Sequence, residues 1–232
     1  VMLIPSPPPI EPMPKDFRTI GGNSPELSPE TAFAIREARN IQQEISELLE
    51  RSPNLASVNE LPSFKVQSLP TEVAKQIRKS LGISVDDQLS WDRSDSFKFW
   101  RTHVQELGVL VLAKSMPVSD CRGFSLIGNH LIPTIVVNKS EGPEANAFTL
   151  FHELGHILLH AEGICVGINR EESTEKWCNS FAGAILVPTE ALHAVASEFQ
   201  PGTIVDWTIN SVQTIARKLK VSKDVIALRL EY

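Results

Sequence analysis

The sequence predicts an α+β fold, mainly helical, with a small antiparallel sheet and a helix-turn-helix-like module at its C-terminal end. Three observations predict it. Long stretches carry apolar residues at spacings of three and four, the period of a helix with one buried face. Three short runs rich in β-branched residues crowd together between positions 109 and 137, joined by short loops. The stretch from Ser211 to Leu230 holds two helical patterns broken at Val221-Ser222.

Residues 1–27 carry prolines at 5, 7, 8, 9, 12, 14 and 25 and no helical period, so they read as an extended, Pro-rich arm. Ser28-Pro29-Glu30 then combines an N-cap, a proline at the first helical position and an acid in the first turn. Phe33, Ile35, Ala38, Ile41, Ile45, Leu48 and Leu49 continue the helix until Ser52-Pro53 stops it. Residues 69–81 and 95–107 predict two more helices, closed by Gly82 and Gly108. Val109–Leu112, Phe124–Ile127 and Thr134–Val137 predict the strands, and the short loops between them predict antiparallel pairing. The body of the protein is expected over 28–200. Residues 201–232 form the C-terminal module, in which Ala216 and Leu219 face inward and Ser222 caps the last helix.

At 232 residues the chain is long enough for one substantial core and a small attached module, and 42% hydrophobic with 22% charged residues is ordinary for a globular protein. Its apolar runs are too short for a membrane span, and Val1–Ile4 is halted by Pro5 before it could form a signal-peptide core. Three scattered cysteines, at 121, 165 and 178, point to a reducing cytoplasm. Cys178 reads as a small buried hydrophobe. The start at Val1 in a Pro-rich stretch leads us to expect an upstream part. The net charge of −6 argues against a chain that acts mainly on nucleic acid. Between 141 and 200 nine glutamates face only Arg170 and Lys176, a balance that favours a basic substrate segment if a cleft lies there and otherwise marks solvated helix faces.

The helix predicted around Phe148–His156 contains His152-Glu153-Leu154-Gly155-His156. Two histidines one turn apart point their rings the same way, with Cβ atoms about 5–6 Å apart, which suits two bonds to one ion. Glu153 is turned around the axis and can face a water beside that ion as general base. The flanks are apolar almost all round, so these polar groups are buried and need partners. The plainer alternative is a pair of histidines making core hydrogen bonds. A catalytic zinc needs a third ligand and an open position. The helix predicted downstream offers Glu171, Glu172 and Glu175. The first two fall at its start, where acids favour the helix dipole. Glu175 lies one turn before Asn179, beside the apolar stripe, and Asn179 reads as a partner that steadies the site from behind. His160, one turn past His156, reads as a similar supporting group, with Glu162 as a fallback ligand.

Phe148–His160, Glu175–Ala182 and Leu186-Val187-Pro188 together resemble the ImmA/IrrE metallopeptidase family. Gly108–Val111, Gly123–Leu126 and Ile135–Asn138 also fit its pattern, and Pro14–Arg18 resembles the start of longer members. The resemblance is firm over about 105–190. It implies a zincin-like metallopeptidase domain and selects Glu175 over its neighbours. Carried over by position, His152, His156 and Glu175 hold Zn²⁺ and Glu153 is the base. It further implies a zinc endopeptidase that cuts a helix-turn-helix repressor or antitoxin of the Xre type, in a mobile-element, stress-response or toxin–antitoxin pair. Two other readings of the residues are a regulator or toxin-like binding protein without turnover, and a DNA-binding protein with structural zinc. Five basic residues against Asp224 between 210 and 230 leave DNA contact open but not favoured.

Overall fold

The computed structural model describes residues 27–52, 61–160, 168–197 and 208–231. The Pro-rich arm, Glu162, Cys165 and the boundary drawn at 200/201 lie outside the described residues. In chain order the elements are α1 (Pro29–Arg51), α2 (Pro70–Leu81), α3 (Val85–Ser90), a 3₁₀ turn (Arg93–Asp95), α4 (Ser96–Glu106), β1 (Leu110–Lys114), β2 (Gly123–Leu126) and β3 (Thr134–Asn138). Then follow α5 (Pro143–Leu158), α6 (Ile168–Leu186), α7 (Thr189–Ala196), α8 (Ile209–Lys218) and α9 (Lys223–Glu231). The described chain is mostly helical, with one small sheet.

Local chemistry sets many of these boundaries. Ser28 caps α1 by accepting from the Thr31 amide, with Pro29 in the first turn. Gly82 and Gly108 end their helices at φ +68° and +86°, a conformation that costs glycine nothing. The short α3 was not expected from periodicity. A reciprocal cap creates it, in which Ser84 Oγ accepts from the Asp87 amide and the Asp87 carboxylate accepts from the Ser84 amide.

The sheet corrects one expectation: it is mixed, not antiparallel. The strand order is β1-β3-β2, with β3 parallel to β1 (Leu110↔Thr134) and antiparallel to β2 (Phe124↔Val136). The chain does reverse at each short connection. Sequential strands are not all lateral neighbours, however, and β3 inserts between the other two. Every residue of β3 is buried, as suits a central strand covered on both faces. Asn138 at its end donates to the Met116 and Cys121 carbonyls and accepts from the Met116 amide, which pins the β1–β2 connection.

Helix α1 covers one face of the sheet. Ala34, Ile35 and Ala38 pack there with Phe124, Leu126 and Val136. Gln42 Nε2 donates to the Leu126 and Ile132 carbonyls, and Asp120 accepts from Ser28 and Thr31, so polar contacts fix both halves of the helix. The opposite face, with Val111, Ile135 and Val137, joins the main core beneath α5 and α6.

The C-terminal helices belong to that same core. Ile215 and Ala216 of α8, Leu219 just beyond it, and Val225 and Ile226 of α9 pack into it, and Ser222 Oγ accepts from the Val225 amide at the start of α9. The end of α6 is held from three sides. Arg78 donates to the Ile185 carbonyl at 2.6 Å, Gln88 to the Leu186 carbonyl at 3.0 Å and Arg229 to the Val187 carbonyl at 3.0 Å. These side chains satisfy carbonyls that a helix end leaves without partners, and two of them bring positive charge to the favourable end of its dipole. Among the described residues no helix is long and apolar enough to cross a membrane.

Candidate metal centre

Helices α5 and α6 pack closely against each other, and their approach builds the site. Gly155 makes that approach possible. A Cβ there would lie 3.0 Å from Cys178 Sγ and 3.3 Å from Cys178 Cα, closer than side chains normally pack. A glycine inside a helix costs about 1 kcal/mol relative to alanine. Here the lack of a side chain lets α6 bring Glu175 up to the histidines of α5.

His152 and His156 lie one turn apart on α5, with Nε2 atoms 3.1 Å from each other. From α6, Glu175 brings one carboxylate oxygen to 3.5 Å from His152 Nε2 and the other to 3.4 Å from His156 Nε2. The three ligand atoms lie within 4.8 Å of one another, in the arrangement expected of residues that share an ion. Asn179, one turn beyond Glu175, accepts at Oδ1 from His152 Nδ1 at 2.9 Å. That contact fixes the orientation of the His152 ring, with Nε2 turned into the cluster.

His156 is buried and hydrogen-bonds Cys178 on its flank. Burial by itself would lower its pKa, but the contacts with Cys178 and Glu175 override it and the net direction is upward. Glu175 is held far below the usual carboxylate range by its hydrogen bonds to His152 and His156. Burial raises the Cys178 thiol, and its hydrogen bond with His156 works against that rise. Glu153 is buried beside the cluster, and Ser125 Oγ on β2 donates to its Oε2 at 3.0 Å.

The structure therefore brings together His152, His156 and Glu175, with Asn179 behind His152 and Glu153 adjacent. It places His160 elsewhere, exposed in the turn that ends α5, at φ +41° with its amide bonded to the Ile157 carbonyl. Sequence reasoning missed Ser125 and the contact between Cys178 and His156. Ser125 did leave a signal, as a hydroxyl in an otherwise apolar strand, Phe124-Ser125-Leu126-Ile127.

Residues 104–231 match the model of the IrrE N-terminal-like domain, Peptidase_M78. The chain belongs to this family of peptidases. No curated protein matches the chain. Among solved structures it is similar to a Mycobacterium tuberculosis transcriptional regulator, at 14% identity and a TM-score of 0.45, over 70% of this chain and 46% of that one. The chain thus spans about half the length of that regulator.

Proposed function

We propose that this protein is a zinc-dependent endopeptidase that cuts a helix-turn-helix protein of the Xre type, a repressor or antitoxin, and so changes transcription. The observation that carries the reading is the convergence of two Nε2 atoms and a carboxylate within 4.8 Å, beside a buried glutamate.

The donor set fits zinc. Two imidazole nitrogens and one carboxylate oxygen match the three-ligand sites that keep a fourth position open. His152, His156 and Glu175 would hold the ion, and Asn179 fixes the ring of His152 for it. When bound there, zinc supplies activation of a water and polarisation of the substrate carbonyl. Glu153 takes the proton of the attacking water and later delivers it to the leaving amine. Burial keeps bulk water from competing for that carboxylate. Strand β2, at the outside of the sheet and against α5, gives an extended peptide segment a strand to lie along. Between 141 and 200 glutamates outnumber Arg170 and Lys176 by seven; Glu141 and Glu144 are paired with Arg122 and Arg93, and the remaining excess favours a basic segment.

Two alternatives, a regulator without turnover and a DNA-binding protein with structural zinc, leave Glu153 buried beside the ligands without a task. Among the described side chains of α9 the exposed ones are Lys223, Asp224 and Ala227, whose two charges cancel and give a duplex no net positive charge to meet. The deciding experiment incubates the protein with the helix-turn-helix product of the neighbouring gene. We expect cleavage that a chelator stops and that Glu153→Gln lacks. A partner left intact under every condition contradicts the reading.

A further inference from the structure

Glu153 has a flexible side chain in a confined place, and a general base works only if its carboxylate faces the reacting water. What sets its direction lies on a different element. In the β2–β3 register Ser125 stands opposite Ile135. Its neighbours Phe124 and Leu126 turn to the face covered by α1. Strand alternation therefore turns Gly123, Ser125 and Ile127 towards α5. At Gly123 there is no room for a side chain, since a Cβ would meet Thr149 Cγ2 of α5 at 2.5 Å. Ile127 packs on the main core. Ser125 alone in this row brings a polar side chain. It is only 6% exposed, and its hydroxyl donates to Glu153 Oε2 at 3.0 Å. Packing in such a row is satisfied by alanine or valine. A hydroxyl becomes useful because a carboxylate lies in front of it.

We propose that Ser125 is the positioning residue for Glu153: its hydroxyl fixes Oε2 and so sets the direction in which the carboxylate addresses the site. The inference rests on the reading of Glu153 as general base. It makes one strand responsible for both the substrate face and the aim of the base, so that a shift of β2 would disturb the two together.

The test compares the full-length, zinc-loaded wild type with Ser125→Ala, Ser125→Thr and Glu153→Gln on a set of internally quenched decapeptides containing Lys and Arg. Ser125→Ala is expected to lower kcat by about 10- to 100-fold with KM within about twofold, because only a transition-state role is lost. Zinc content should remain equal to wild type. Ser125→Thr, which keeps the hydroxyl, should restore most of the rate. A second readout uses the metal-free protein. Ser125→Ala should lower Tm by about 3–8 °C in the wild-type background, the range for a buried bond to a charged group, and by much less once Glu153→Ala has removed the acceptor. Unchanged kcat in Ser125→Ala, loss of rate without rescue by threonine, or additive Tm changes would overturn the positioning role. Full activity in Glu153→Gln, or no cleavage by the wild type, would instead overturn the endopeptidase reading, and the Tm cycle would then decide the Ser125–Glu153 link by itself.

Discussion

Glu175 is the residue on which the candidate ligand set turns, because its carboxylate is the group from α6 that reaches both histidine Nε2 atoms. Glu175→Ala leaves two imidazoles and is expected to reduce zinc content from about one per chain to well below half after dialysis, as measured by elemental analysis. Asn179→Ala should act more mildly, with metal affinity lower by about 10- to 100-fold, since it removes only the group that orients His152. The pKa directions add a pH dependence. Without metal, His156 sits above its ordinary 6.5 and Glu175 below its ordinary 4.5, so at neutral pH they form an ion pair. The stability Glu175 gives is present above pH 4.5 and is lost as pH falls through its lowered pKa. The His156 contribution is complete below pH 6.5 and is lost as pH rises through its raised pKa. A metal ion must displace the His156 proton. Each ion bound therefore releases about one proton, and affinity rises by about tenfold per pH unit between roughly pH 6 and 8. Calorimetry in two buffers of different ionisation enthalpy measures that proton, and identical heats in both would refute it.

At the scale of elements, the α5–α6 contact and the capped end of α6 decide whether the site can form. Gly155→Ala gains about 1 kcal/mol of helix propensity but forces Cys178 away, and overpacking of this kind costs about 1–3 kcal/mol. The net expectation is a small loss of stability with a larger loss of zinc affinity, because Glu175 moves with α6. Arg78→Ala leaves the Ile185 carbonyl buried without this donor and should cost about 1–3 kcal/mol in chemical denaturation. Much of this level could be read from the chain itself. Ser28-Pro29, Gly82 and Gly108 mark helix ends by rules that act within a few residues. Strand positions were equally legible, but lateral order was not: whether β3 lies beside β1 or beyond β2 depends on what covers each face, which periodicity does not encode. The same holds for the site. His152, Glu153 and His156 are neighbours along one helix and are legible as a set. Glu175 could be selected only through the family resemblance. Ser125 and the Gly155–Cys178 contact depend on distant segments meeting, and only the fold reveals them.

For the whole molecule, α1 and the sheet, the α5–α6 pair and the C-terminal helices meet around two adjoining cores, and a ligand that ties α5 to α6 should stabilise the chain as a unit. At free zinc about 1,000-fold above its dissociation constant, mass action contributes about 4 kcal/mol, or roughly 10 °C in Tm for a protein of this size. Chelator should reverse the shift, and Glu175→Ala should lack it. The most direct measurement is anomalous diffraction at the zinc edge from crystals grown with equimolar zinc. We predict one strong peak about 2.0–2.2 Å from His152 Nε2, His156 Nε2 and a Glu175 oxygen. A peak that leaves Glu175 out of bonding reach, or no peak between α5 and α6, would contradict the account.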